Sequence, residues 1–256
     1  MLEWGMDESA AGRKIFILYP HSVIQDELLD FLIMAGFEAY VVHDHKRALA
    51  LLKRFPCSIM FINIDQGLSE KEWEAYVRTI QEDPATKETR LGILSYNTDQ
   101  KLMQKYLMDL AVPCGYIQLK LGVKASTKIM LSALEANEAR GRRKYIRAMC
   151  EDDSNATVNL KGPASLYYGK ILDISAAGIA AHFDTFADFP PNTVLKEVQL
   201  KLRGSLVLTD ATLAGKRDDK VWVLLFDNER MSPNHKLVIH HFIKYTLQRY
   251  MDNLKV

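Results

Sequence analysis

Two short motifs in the second half of the sequence carry side chains suited to binding a charged ligand. Arg143 and Arg147 are separated by three residues, and a later segment contains Asp173, Ser175 and Gly178. A guanidinium group donates two parallel hydrogen bonds to a phosphate and also stacks on aromatic rings, which lysine does not. A carboxylate and a hydroxyl add acceptors, and glycine lets a backbone approach closely or adopt positive φ. These residue types indicate binding rather than catalysis.

Each motif alone also has a simpler structural explanation. Arginine pairs occur by chance in basic linkers, and Asp or Ser in a turn often caps the local backbone. Arg142 directly precedes the arginine pair, and it is either a solvated linker charge or a further ligand contact. The motifs gain weight from the elements around them.

Short strands are predicted throughout this half of the chain. Apolar and polar residues alternate, as in Val198–Leu202, which is the period of a strand with one solvated face. The six predicted strands are Ala156–Lys161, Ser165–Ile174, Gly178–Phe183, Val194–Arg203, Leu206–Ala214 and Val221–Phe226. Because open strand edges are unfavourable, we expect a small antiparallel β-barrel, with a helix from about Asn234 to Met251 packed against it.

The motifs R-x-x-x-R and D-x-S-x-x-G, in this order and in the context of a short barrel, resemble a PilZ domain. The resemblance covers about residues 140–252, and it departs from the family at Ala177, where many members have a second glycine. PilZ domains are receptors for the bacterial second messenger cyclic di-GMP. The resemblance therefore implies a cyclic di-GMP site formed by Arg143, Arg147, Asp173, Ser175 and Gly178.

The chemistry of cyclic di-GMP agrees with these residue types. Its two phosphates and the O6/N7 edges of its guanines are acceptors for the forked donors of Arg143 and Arg147. Asp173 can accept hydrogen bonds from guanine N1 and N2, and Ser175 can reach a phosphate or a base edge. Arg142 would stack on the base of a second, intercalated dinucleotide, a hypothesis that a 1:1 stoichiometry would exclude.

The first half alternates short apolar strands with amphipathic helices, which predicts a doubly wound five-stranded parallel sheet covered on both faces. The predicted strands are Lys14–Tyr19, Glu38–Val42, Ser58–Ile64, Leu91–Tyr96 and Tyr116–Leu119. Capping boxes are predicted at Ser22 with Gln25 and at Ser69 with Glu72. Further helices are predicted at Lys46–Phe55, at Gln100–Leu110 and from about Ser126 to Arg140.

This half resembles the receiver domain of response regulators over about residues 13–138. A phosphorylated receiver needs an acidic pair after the first strand and an aspartate at the end of the third, because magnesium prefers carboxylate oxygens. Here the first strand ends without a carboxylate, and Asn63 lies at the phosphoacceptor position, whereas Ser95 and Lys120 match the remaining receiver residues. Asp65 is interpreted as a loop residue, although a shifted register would make it the acceptor. We therefore expect a pseudo-receiver that serves for contacts between the domains or with a protein partner.

Bulk composition excludes several classes of protein. The 256 residues carry 33 basic and 32 acidic side chains, so nucleic acid is not expected as the main partner. The acidic N-terminus is not a signal peptide, and the apolar runs are too short to span a bilayer. The three scattered cysteines, Cys57, Cys114 and Cys150, favour reduced thiols in the cytoplasm and no metal site.

These observations predict a non-enzymatic, cytoplasmic protein with a pseudo-receiver at residues 1–138 and a PilZ barrel at residues 139–256. No cofactor is expected besides the ligand cyclic di-GMP, which would change the arrangement of the two domains and so signal to a protein partner. Three alternatives remain: a degenerate PilZ adaptor that acts through protein contacts without nucleotide, a phosphorylated response regulator, and a nucleic-acid-binding protein that uses residues 140–147. The intact arginines argue against the adaptor, and the missing acidic cluster argues against the phosphorylated response regulator. The near-neutral charge argues against the nucleic-acid-binding protein.

Overall fold

The structure is a computed structural model that describes residues 12–150, 153–162, 165–185, 189–218 and 220–256. The acidic N-terminus discussed above lies almost entirely outside these ranges. Internal contacts divide the described chain into two compact units. The first comprises residues 12–144 together with Met251–Val256, and the second comprises Tyr145–Tyr250. Within the first unit, Arg47 donates hydrogen bonds to the backbone carbonyls of Met251, Asp252 and Leu254.

The first unit contains a five-stranded parallel sheet in the order β2-β1-β3-β4-β5, as the strand–helix alternation predicts. The strands are β1 (Ile15–Leu18), β2 (Ala39–Val42), β3 (Ile59–Asn63), β4 (Arg90–Ser95) and β5 (Tyr116–Gln118). The helices are α1 (Ser22–Met34), α2 (His45–Arg54), α3 (Glu70–Glu82), α4 (Gln100–Gln104) and α5 (Val123–Ala136). Every residue of β1, β2 and β3 is buried, which explains why these strands are apolar except for Asn63 at the end of β3.

Helix starts agree with the sequence at one capping box and differ at the other. The carboxylate of Glu72 accepts a hydrogen bond from the backbone N–H of Ser69, which confirms the box that begins α3. The box predicted at Ser22 is wrong, because the N-cap is the preceding residue. His21 is the N-cap, and its ring nitrogen accepts a hydrogen bond from Val23 N, so Ser22 is already helical.

Two other helices differ from their predicted bounds. Helix α5 begins at Val123 rather than Ser126, because Gly122 adopts a φ of 85° and turns the chain three residues earlier. The helix predicted to extend to Leu110 keeps α-helical hydrogen bonding only through α4 and then widens into a π-turn at Lys105–Asp109.

The second unit is a closed antiparallel barrel of six strands in the order β8-β7-β10-β11-β12-β9, with β9 pairing back to β8. These strands are β7 (Ala156–Lys161), β8 (Leu166–Ser175), β9 (Gly178–Phe183), β10 (Val194–Leu202), β11 (Ser205–Asp218) and β12 (Val221–Phe226). A short strand that the sequence patterns did not predict, β6 (Ala148–Met149), pairs with Asp173 and Ile174 of β8. Helix α6 spans Pro233–Asn253.

The barrel core consists of the inward-facing residues that adjacent strands align. Ile174 pairs with Ile179, Ile179 with Leu224 and Leu224 with Leu213, and all four side chains are almost completely inaccessible. Burial of such rows, at about 25 cal/mol per Å² of apolar surface, is the main driving force for closing the barrel. None of the helices in the described ranges has the length and apolar character needed to cross a bilayer.

A buried ionic cluster joins the loop before β7, the β10–β11 turn and helix α6 within the second unit. Arg203 donates to the carboxylate of Asp153 and lies over the ring of Tyr245 at 4.0 Å. Arg249 approaches the same carboxylate at 3.8 Å. The side chain of Asp153 is only 7% exposed, so its charge depends on these cations for compensation.

Candidate ligand-binding site

A β-bulge near the end of β8 orients the Asp-x-Ser motif. Ile171 and Ile174 are both fully buried although they are three residues apart, which a regular strand with period two does not allow. The pairing of β8 with β9 shifts between Ile171 and Asp173, so Leu172 is the extra residue. Beyond the bulge, Asp173 and Ser175 point to the face of the sheet opposite the core residue Ile174.

The short strand β6 brings Arg147 to this same strand end. Ala148 pairs with Ile174 and Met149 pairs with Asp173 in antiparallel register. Arg147 immediately precedes Ala148, so its backbone is next in line beside Ser175. The second arginine of R-x-x-x-R and the serine of D-x-S-x-x-G, 28 positions apart in the sequence, are therefore neighbours in the barrel unit.

The three arginines of the basic segment are exposed. Arg142 and Arg143 group by contacts with the first unit, whereas Arg147 belongs to the second. Within the described ranges, none of the three side chains forms a hydrogen bond or an ion pair. Solvated guanidinium groups of this kind keep all their donors available to an anion.

Asp173 is nearly inaccessible, at 5% exposure, and it is already paired. Nη1 of Arg217 donates to Oδ2 of Asp173 at 2.8 Å. Sequence reasoning missed Arg217 because β11 was predicted to end at Ala214, where the alternation of apolar and polar residues stops. The strand continues to Asp218 through two register shifts, and bulges of this kind bend a strand away from regular pairing.

The hydroxyl of Ser175 holds the turn between β8 and β9. It accepts a hydrogen bond from Ala177 N and donates one to the Gly178 carbonyl, both at 3.3 Å. The turn is fixed from outside as well, because the Ala177 carbonyl accepts from Phe226 N and the Ala176 carbonyl accepts from the Asn228 amide. A hydroxyl has two acceptor lone pairs, so Ser175 keeps one for a further donor.

Gly178 is required by a close approach between backbones. A Cβ at this position would lie 2.1 Å from the Leu224 carbonyl oxygen on β12, whereas Gly178 is not among the glycines with positive φ. Of the two reasons that the sequence suggested for this glycine, the structure supports the close approach. The contact also fixes the position of Gly178, which is the first residue of β9 and follows the turn that carries Ser175.

Hydrogen bonds engage the polar side chains at the end of β3 in the first unit. The Asn63 amide donates to the Tyr19 carbonyl at 2.8 Å. Both carboxylate oxygens of Asp65 are engaged, because they accept from the Ser95 hydroxyl at 2.5 Å and from Tyr96 N at 2.6 Å. Asp65 therefore holds the loop after β4, which agrees with its interpretation as a loop residue. In the described part of the chain, no three His, Cys, Asp or Glu residues cluster as metal ligands would.

Solved structures similar to each half of the chain are known, although no protein-family model and no curated protein matches it. The PilZ domain with c-di-GMP of YcgR from Escherichia coli is 16% identical, with a TM-score of 0.36, over 44% of this chain and 99% of that one. The Bacillus subtilis inhibitor of motility MotI/DgrA is 18% identical, with a TM-score of 0.36, over 44% of this chain and 54% of that one. This chain thus spans about half the length of MotI/DgrA.

For the first half, the chemotaxis response regulator CheY4 of Vibrio cholerae is 15% identical, with a TM-score of 0.41, over 49% of this chain and 98% of that one. Identities of this size do not establish what a chain binds, and the ligand has to be argued from its own residues.

Proposed function

We propose that this protein is a cyclic di-GMP receptor and that the dinucleotide binds where the arginine segment meets the end of β8. The observation that carries the proposal is the pairing of β6 with β8, which aligns Met149 with Asp173 and so puts Arg147 beside Ser175. The second arginine of one motif thereby lies beside the Asp-x-Ser segment of the other, and the donors and acceptors of these residues match those of a guanine nucleotide.

Each residue has a distinct role in this proposal. Arg143 and Arg147 bind the phosphates or the O6/N7 edge of a guanine, for which their exposed guanidinium groups are suited. Asp173 accepts from guanine N1 and N2. The remaining lone pair of Ser175 accepts a further hydrogen bond, and Gly178 keeps the turn in place. Arg142 stacks on the base of a second dinucleotide.

Binding would act as a signal by ordering the arginine segment. Residues 141–147 contain no helix or strand, and the contacts of Arg143 and Arg147 assign them to different units. A ligand held by both arginines favours those arrangements of the two units in which both reach it, in proportion to its differential affinity for them. The new arrangement would then be read by a protein partner.

Isothermal titration of cyclic di-GMP into the wild type and into Arg143→Ala/Arg147→Ala tests the proposal. We expect binding by the wild type and a loss of at least about 100-fold in the double variant, since charge-assisted hydrogen bonds contribute about 1.5–3 kcal/mol each. Lys124→Ala/Lys128→Ala is the matched control, because it removes two exposed cations at the same spacing from α5.

Absence of binding by a folded wild type would reject the receptor function and favour the adaptor that works through protein contacts. An equal loss of affinity in the lysine control would mean that general positive charge, rather than the R-x-x-x-R motif, attracts the ligand.

A further inference from the structure

The carboxylate of Asp173 is only half used by the protein. Arg217 is its partner through Oδ2, and no donor within the described ranges reaches Oδ1. The Asp173 side chain is 7% exposed, whereas that of Arg217 is 36% exposed. A nearly buried carboxylate with one oxygen held and the other available is arranged to accept further hydrogen bonds from a single direction.

The charge of Asp173 determines what a ligand can do to this pair. Guanine is neutral, so its N1 and N2 donors can satisfy the carboxylate oxygens but cannot compensate their negative charge. Displacing Arg217 would leave that charge buried without a cation, which is strongly unfavourable. Each carboxylate oxygen accepts two hydrogen bonds, so Oδ2 can keep Arg217 while both oxygens receive guanine.

We propose that Arg217 is a positioning residue that sets the selectivity of the site for guanine. This inference rests on the proposed function. The guanidinium fixes the plane of the Asp173 carboxylate, so that both oxygens face the N1–H and N2–H edge of the base at once. Without it, the carboxylate rotates about its side-chain bonds, and the two-point contact with guanine is lost.

The local structure of β11 explains how Arg217 comes to this position. Strand β11 is three places from β8 in the barrel order, so regular pairing alone would not bring the two together. The pairing register shifts between Leu213 and Gly215 and again between Lys216 and Asp218, and Gly215 has a φ of 153°, so the course of the strand is altered around Arg217. A glycine tolerates that backbone conformation, whereas L side chains rarely adopt it.

The test compares cyclic di-GMP with cyclic di-IMP, whose bases lack the N2 amino group but keep N1–H and the same phosphates. Isothermal titration is performed with the wild type, Arg217→Ala, Arg217→Lys and the control Arg230→Ala. Arg230 is suited as a control because it is 71% exposed and pairs with Asp210 and Asp227, away from Asp173. Thermal unfolding of each variant verifies that it is folded.

We expect the wild type to bind cyclic di-GMP at least about tenfold more tightly than cyclic di-IMP, since the analogue leaves a buried acceptor unpaired. In Arg217→Ala, the affinity for cyclic di-GMP falls at least about tenfold, and the preference over cyclic di-IMP shrinks towards one. Arg217→Lys, which keeps the charge but not the planar fork, gives an intermediate preference. Arg230→Ala retains the wild-type preference.

Two results would overturn the assignment while leaving the receptor function intact. Equal weakening of both ligands, with the preference retained, would mean that Arg217 contacts a phosphate directly. Tighter binding of cyclic di-GMP by Arg217→Ala would mean that Arg217 competes with the base for Asp173. Failure of the wild type to bind either dinucleotide would instead reject the proposed function, and this inference with it.

Discussion

Arg203 holds a single oxygen of Asp153 with two nitrogens, at 2.8 Å from Nε and 2.7 Å from Nη2. Asp153 is nearly buried, and it also accepts a hydrogen bond from the backbone N–H of Asn155. Burial opposes the charged form, but the Asn155 hydrogen bond and the Arg203 ion pair outweigh it and hold the pKa of Asp153 below its ordinary value. The cluster that joins α6 to the barrel therefore depends on an ionised carboxylate.

The first prediction concerns acid stability. Because the pKa of Asp153 is lower in the folded than in the unfolded protein, its stabilisation is fully present above the unfolded value of about 4 and is lost as the pH falls through the folded value. We expect Asp153→Asn to lower the free energy of unfolding by about 2–4 kcal/mol at pH 7 and by less at pH 3. Urea denaturation at the two pH values measures the difference.

Asp184→Asn is the control for this experiment, because the side chain of Asp184 is 88% exposed. Its unfolding free energy should stay within about 0.5 kcal/mol of the wild type at both pH values. If Asp153→Asn lowers the free energy of unfolding equally at both pH values, the contact between Asp153 and Arg203 contributes through its packing rather than through its charge.

The second prediction concerns the glycine of the D-x-S-x-x-G motif. Gly178→Ala places a methyl group against the Leu224 carbonyl oxygen and should lower the free energy of unfolding by at least about 2 kcal/mol, since β9 and β12 must separate. The reverse exchange at a neighbouring exposed turn position, Ala176→Gly, should change it by less than about 1 kcal/mol. Thermal and urea unfolding of both variants provide the comparison. A Gly178→Ala variant with the wild-type free energy of unfolding would contradict the close approach.

The third prediction concerns phosphorylation of the first unit. Both oxygens of Asp65 are occupied by Ser95 and Tyr96, and Asn63 is an amide, so incubation with acetyl phosphate and Mg²⁺ should give no phosphoprotein by intact-mass spectrometry. A phosphoryl adduct that Asp65→Asn removes would restore the interpretation of this unit as a phosphorylated receiver. The same variant should unfold at a lower temperature, because an amide is a poorer acceptor for two donors than a carboxylate.

The fourth prediction concerns shape and stoichiometry. Saturating cyclic di-GMP should lower the radius of gyration of the wild type in small-angle scattering. It should leave the radius of gyration of Arg143→Ala/Arg147→Ala unchanged. If Arg142 stacks on a second dinucleotide, titration gives two ligands per chain for the wild type and one for Arg142→Ala. A scattering profile that the ligand does not alter would argue against signalling through rearrangement of the units, and a single ligand per wild-type chain would exclude the role of Arg142.

Periodicity predicts most of the architecture because it records burial directly. The uninterrupted apolar run of β3 and the alternation of β10 each identify a strand and the number of its faces that are covered. The two-residue strand β6 has no period to detect, and its pairing with β8 depends on a register that only the folded barrel defines. The N-cap at His21 was not predicted because a histidine ring takes the place of the usual serine hydroxyl.

The candidate site also combines residues that the sequence predicts with one that it does not. Its six predicted residues are recognisable by type and spacing. Arg217 is not, since it lies at the second of two register shifts, in a segment whose composition suggests a turn. Contacts made across bulges leave no trace in local sequence patterns, because they depend on how far the strand bends.

The compact barrel begins at Tyr145, between the two arginines of the R-x-x-x-R motif. A barrel excised or exchanged along its own contact boundary would keep Arg147 and lose Arg143, which is half of the proposed anion-binding pair. If the proposed function is correct, ligand recognition is thus not portable with the barrel alone. Under that proposal, chimaeras that graft this barrel onto another protein must carry the preceding segment from Gly141 onwards in order to bind the ligand.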